Sequence, residues 1–175
     1  MTQAVLTTER LVLRQIGEGD LDPHMTLLNT PAVMQHLGGV QPRAVIAAKH
    51  AASRAGFAAE GYGFMIMEER ASGEMVGHCG LRHVAHPLAP NPADHEIGWL
   101  VREDRWRMGY AHEAMRAVVD WGFAVHAAPH LVAAGPGRGR IVAISESRVD
   151  VVEIVADGAG AWQERPRTLS LKKHS

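Results

Sequence analysis

The stretch DHEIGWLVREDRWRMGYAHEAMRAVVDWGFAVHAA, residues 94–128, decides the fold. It reads as a strand, a basic turn containing glycine, and a helix that starts at once. The strand is Glu96 to Val101, with Ile97, Trp99 and Val101 facing one way and Glu96, Gly98 and Leu100 the other. The helix runs from about Tyr110 to Val125. Ala111, Ala114, Met115, Val118, Gly122 and Val125 keep the spacing of one buried face, and His112, Glu113, Arg116 and Asp120 fall on the other side. Between them lies Arg105-Trp106-Arg107-Met108-Gly109-Tyr110-Ala111. The first N–H groups of a helix have no acceptor behind them, so this turn points several main-chain donors outward. With the helix dipole and nearby arginines it makes an anion site sized for a phosphate or diphosphate.

The turn and helix resemble the acetyl-CoA-binding motif of the GNAT superfamily of N-acetyltransferases, Arg/Gln-x-x-Gly-x-Gly/Ala opening a helix. Trp106 stands at the first position, Gly109 at the fourth and Ala111 at the sixth. Tryptophan there, followed by GYAHEAMRAVVDWGF, is similar to the RimJ/RimL-type branch, named after N-terminal acetyltransferases of ribosomal proteins. Thr8-Glu9-Arg10-Leu11-Val12-Leu13-Arg14 and the strand Glu96-Ile97-Gly98-Trp99-Leu100 match the same branch, so the resemblance covers roughly residues 5–134. It implies an α/β fold, a mixed and mostly antiparallel twisted sheet flanked by helices. It also implies acetyl-CoA as co-substrate and direct transfer to a primary amine, of a small molecule or a protein N-terminus. The same resemblance places Trp99, Leu100 and Val101 against the pantetheine amides, on a strand that splays from its neighbour to admit the arm.

The whole chain sets bounds without adding chemistry. At 175 residues it fits one domain with a substantial core. A net charge of −1 argues against a general nucleic-acid binder. The one cysteine, Cys79, excludes an internal disulfide and suits a reducing cytoplasm. Neither a signal peptide nor an apolar run long enough to span a membrane is visible, so the expectation is a cytoplasmic protein without a membrane partner.

Taken in order, Leu6 to Ile16 reads as a first strand, and Asp20 as the N-cap of a helix through Leu28. Thr30-Pro31 opens a short helix stopped by Gly38-Gly39, and a third helix runs from Pro42 to about Glu60. In the resembled family these helices flank the acceptor groove. Tyr62 to Glu68 and Met75 to Val84 read as a hairpin, His86 to Pro92 as a loop, and His130 to Ala134 as a short strand. There the resemblance stops: the family would show Asn-x-x-Ser opening another helix, and this chain has Gly135-Pro136-Gly137-Arg138-Gly139-Arg140. Residues 1–134 are therefore read as the acetyltransferase unit and 135–175 as an altered terminus. Two origins stand side by side: a coding frame shifted near codon 134, or a divergent end that supplies its own strands at 141–144 and 149–155. An uncovered sheet edge would also invite pairing with a second copy as a homodimer.

Amine acetylation needs a grip on the donor, a neutral amine, a stabilised oxyanion and a proton for the leaving thiolate. N–H groups from Arg107 through Met108, Gly109 and Tyr110 to Ala111 would hold the diphosphate, Gly109 permitting close approach. Arg102, Arg105 and Arg107 lie within reach of CoA phosphates. Glu96 is the candidate general base: the resembled family has a glutamate at this point of the strand, facing the acceptor amine. No general acid is legible, since the only tyrosines are Tyr62 and Tyr110. His78, His83, His86 and His95 lack the spacing of a metal site, so no metal is expected. The competing reading is a non-catalytic acyl-CoA-binding domain that lost part of its site with the altered terminus.

Overall fold

The alternation that reads as one strand over Leu6 to Ile16 is broken in the middle. In the computed structural model, which describes residues 2–83, 95–126, 131–134, 140–144, 148–156 and 162–170, it is a hairpin of β1 (Ala4–Thr7) and β2 (Leu11–Gln15). Thr8 closes the turn, its N–H bonding Leu11 O at 2.9 Å. Leu11 and Leu13 are fully buried, which sets the inward face of β2.

The helices α1 (Leu21–Leu27), α2 (Pro31–Met34) and α3 (Arg43–Glu60) follow. Thr30 caps α2 by accepting from Val33 N–H, and Gly61 at φ 79° ends α3. Asp20 stands at the N-cap of α1 but makes no side-chain cap bond. Its carboxylate is held instead by Gly17 N–H at 2.6 Å and both Arg14 terminal nitrogens at 2.7 Å, a charge-assisted set that outweighs one helix donor.

The hairpin β3 (Phe64–Glu69) and β4 (Met75–His83) and the strand β5 (His95–Val101) continue the sheet, antiparallel from β1 to β5. The Pro-rich loop expected at His86 to Pro92 lies outside the described residues. From β5 the chain passes through α4 (Tyr110–His126) to β6 (Leu131–Ala134), parallel to β5. Ala114, Val118 and Gly122 bury α4 on the sheet with Leu81, Ile97 and Leu131. A Cβ at Gly122 would stand 3.1 Å from Leu81 Cδ1 and 3.3 Å from Leu131 Cδ1, so glycine lets helix and sheet pack this closely without either leucine moving. Two residues depart from the expected pattern. Val125 is 64% exposed, because Gly122 is the last position of that stripe with core neighbours. Glu113 does not face solvent but engages the β1–β2 turn.

Beyond β6 the sheet continues through β7 (Arg140–Ile144), β8 (Arg148–Ala156) and β9 (Trp162–Ser170), all antiparallel. β9 falls on WQERPRTLS, where the sequence reading places no strand. Its sequence shows no apolar alternation, so periodicity is silent and pairing with β8 defines it. β7 occupies the edge of β6 that an uncovered sheet would have offered to a second copy. Among the described residues no helix is long and apolar enough to cross a membrane.

Leu81, fully buried between the sheet and α4, is a direct test of this packing. Leu81→Ala is expected to lower the unfolding free energy by about 2–5 kcal/mol in urea titrations, since the cavity cannot close under a rigid helix.

Candidate functional site

The turn between β5 and α4 has the backbone of an anion nest. Arg107 stands at φ 63° and Gly109 at φ 82°, and left-handed residues alternating with others turn successive N–H groups to one side. Among the described residues, the N–H groups of Arg107 through His112 make no main-chain hydrogen bond; the first that does is Glu113, to Gly109 O at 3.0 Å. Met108 is 48% exposed and Gly109 is open to solvent, whereas Tyr110 is buried and Ala111 half-buried. Three side chains hold the turn. Trp106 Nε1 donates to Val101 O at 2.7 Å, Tyr110 OH donates to Glu69, and Arg10 Nη1 donates to Met108 O at 2.8 Å.

Beyond Glu96 the strand feeding this turn is paired on one side only. β6 meets β5 at His95 and Glu96 and nowhere else among the described residues. On the other side Arg102 N–H bonds Val76 O at 2.9 Å, so by ladder alternation Leu100 and Gly98 turn their main chain toward β4. Ile97, Trp99 and Val101 then present theirs to the opened side. Of the three residues expected along the pantetheine, Trp99 has its main chain directed into the gap. Val101 O is taken by Trp106, and Leu100 is turned away.

Glu96 sits where the two strands part, the last β5 residue with a β6 partner, and is 9% exposed. Its carboxylate is not free. Arg82, across the β4–β5 ladder, donates through Nε at 3.0 Å and Nη2 at 2.7 Å. The Arg82 side chain is 55% exposed, so the pair is open to exchange with an incoming cation. No sequence signal picked out Arg82; only the register opposite Glu96 does.

The basic residues of the turn divide. Arg105 pairs with Glu74 at 3.2 Å and Asp104 at 3.5 Å, and Arg102 with Asp104 at 2.6 Å. Both are committed to an acidic cluster at the start of β4, away from a role as spare phosphate cations. Arg107 has no ion pair among the described residues. Cys79 is fully buried and burial pushes its thiol up to about 12, so it stays protonated. Among the described residues no three His, Cys, Asp or Glu are grouped to hold a metal.

Two clusters escaped the sequence reading. Glu113 accepts from Thr8 Oγ1 at 2.6 Å, Arg10 N–H at 2.8 Å and Arg10 Nε at 2.7 Å. Burial pushes the Glu113 carboxyl up, but these donors outweigh it and hold it below its usual value. A shallow groove of about 730 Å³ runs along α4 beside this cluster, with Gly109, His112 and Arg116 on its wall. On the opposite face of the sheet, His24 and His50 share a hydrogen bond at 3.0 Å, and His78 lies edge-on to His24 at 5.1 Å. These imidazoles belong to α1, α3 and β4, too far apart in sequence for any motif to join.

Comparison with known proteins bears on both parts of the chain. Residues 10–135 match the family described as "Acetyltransferase (GNAT) domain". Residues 123–171 match the family described as "Pilus assembly protein, PilP". An acetyltransferase structure from Agrobacterium tumefaciens is 29% identical, with a TM-score of 0.65 over 76% of this chain and 74% of that one. A structure of the ribosomal L7/L12 α-N-protein acetyltransferase RimL in complex with coenzyme A shares the fold at 14% identity. Its TM-score is 0.61 over 80% of this chain and 76% of that one. The type IV pilus inner membrane component PilP of Pseudomonas aeruginosa is 56% identical over 41 residues, 23% of this chain and 24% of that protein.

The histidine cluster generates a pH prediction. Burial, then the neighbouring His50 and Lys49, hold His24 down at about 4 against the pull of Asp20; burial also lowers His50 and His78. In the unfolded chain each titrates near 6.5. Folded-state values below unfolded ones mean that stability is full above about pH 6.5 and falls as the pH drops toward 4. The slope should approach about 1.4 kcal/mol per pH unit for an imidazole that stays neutral in the folded chain. Thermal unfolding between pH 6.5 and 5, above the range of most carboxyls, checks this; an unchanged Tm across that interval would contradict buried neutral imidazoles.

Proposed function

Since the chain belongs to the GNAT acetyltransferases, we propose that it moves an acetyl group from acetyl-CoA directly to a primary amine, of a small molecule or a protein N-terminus. One observation carries this reading: the run of unpaired N–H groups from Arg107 at the head of α4 adjoins the opened edge of β5. The nest takes the diphosphate. The pantetheine lies along β5 as an added strand, its amides meeting the main chain of Trp99. The thioester then arrives near Glu96, where β6 departs.

There an amine enters as an ammonium ion and can replace the Arg82 guanidinium on the Glu96 carboxylate. Glu96 takes a proton, the amine nitrogen attacks the thioester carbonyl, and the tetrahedral intermediate expels CoA thiolate, which takes the second proton that the attacking nitrogen sheds as the amide forms. A protonated, buried Cys79 offers no nucleophile, which favours direct transfer over an acetyl-cysteine intermediate. The bidentate Arg82–Glu96 pair favours a second reading, an acyl-CoA-binding domain without turnover, in which that pair never opens.

Residues 1–134 form the acetyltransferase unit in this reading, and 135–175 a terminus of other origin. The likeness to PilP spans 24% of that protein and brings none of its partners with it.

Calorimetric titration with acetyl-CoA, followed by thiol release with a panel of amines, tests the proposal. Glu96→Gln is expected to cut turnover by about 10²-fold or more while leaving acetyl-CoA affinity within about twofold. CoA binding with no thiol release from any amine would favour the second reading. Gly109→Ala is expected to weaken acetyl-CoA binding by about tenfold or more. Its Cβ would have to sit at φ 82° and 3.3 Å from Arg10 Nη2.

A further inference from the structure

We propose that Arg10, held by Glu113, is a positioning residue that fixes the Met108–Gly109 peptide with its N–H toward the diphosphate. The inference rests on the reading of this turn as the CoA diphosphate site. In a trans peptide the carbonyl and the following N–H point in opposite directions. No cis peptide bond occurs in the described chain, so Arg10 Nη1 on Met108 O directs Gly109 N–H away from the β1–β2 hairpin. That peptide is the weak point of the nest. Gly109 carries no Cβ and tolerates either sign of φ, so rotating the 108–109 peptide by half a turn meets little steric resistance. Once rotated, it would offer the Met108 carbonyl oxygen to the anion in place of a donor. A hydrogen bond on that carbonyl is what selects the productive orientation.

Arg10 is held firmly enough to impose it. Glu113 Oε2 accepts from Nε and lies 2.7 Å from Nη2, Oε1 accepts from the Arg10 main-chain N–H, and Thr8 Oγ1 holds Oε1 at 2.6 Å. The guanidinium rests 4.5 Å above the Tyr110 ring, whose hydroxyl is tied to Glu69. Its fork is committed to Glu113 and Met108 O, so it acts on the ligand through the peptide and not as a free phosphate cation.

Titration of the full chain with CoA and with dephospho-CoA separates these roles, because dephospho-CoA lacks the ribose 3′-phosphate but keeps the diphosphate. Arg10→Met should weaken both ligands by the same factor, about tenfold, since one charge-directed donor is lost in each. Glu113→Gln should act in the same direction and less, which keeps the test open if Arg10→Met does not fold. Leu81→Ala, destabilised at the far side of α4, should lower Tm and leave both affinities unchanged.

Unaltered affinity in both clamp variants would overturn the proposal. So would a loss confined to CoA, which would place Arg10 directly on the 3′-phosphate in the groove. Equal weakening by Leu81→Ala would reduce the clamp to general stability and overturn it too. A wild-type chain that binds neither ligand would instead remove the reading of the turn itself.

Discussion

Everything in this molecule depends on the parallel crossover from β5 to β6. A parallel strand cannot be reached by a tight turn, so α4 must cross the sheet between them and bury its small-residue face on Leu81 and Ile97. That crossover places the free N–H end of α4 at the C-terminal end of β5, where open α/β sheets present their ligands. It also lets β6 leave β5 after two paired residues, which opens the main chain of β5 beside the helix head. The unpaired N–H groups and the open edge are thus two consequences of one connection.

Charge is distributed around that connection so that few groups are idle. Arg102 and Arg105 are spent on Glu74 and Asp104, which ties the strand end to β4. Arg10 is spent on Glu113, which ties the hairpin to the helix. Arg82 is spent on Glu96, at the point where the strands part. The first two pairs brace the backbone of the turn. The third occupies the carboxylate proposed as general base, and its solvent-facing arginine leaves that pair open to exchange with an ammonium.

The terminus joins this frame without disturbing it. The match to the acetyltransferases ends at residue 135 and the match to PilP begins at 123, so the end of α4 and all of β6 lie in both. From β6 onward the sheet grows by antiparallel pairing, which demands only register and turns. The β6 edge is covered by these strands instead of by a further helix.

Sequence alone determined the strand–turn–helix at 95–126 and the glycine at its centre, because hydrophobic period and helix-start chemistry are local, and the family followed from the resemblance of that motif. It also determined α3 and the β3–β4 hairpin, whose ends carry Pro42, Gly61 and Gly73. It misjudged β1–β2, since an alternating pattern persists through a turn, and it missed β9, whose sequence carries no apolar period. Only tertiary structure decided that Glu113 faces Arg10, that Arg82 faces Glu96, that Arg105 is committed elsewhere and that three distant histidines meet. The physical reason is the same in each case: ladder register and helix docking set which side chains touch, and neither is written within one turn or one strand of chain.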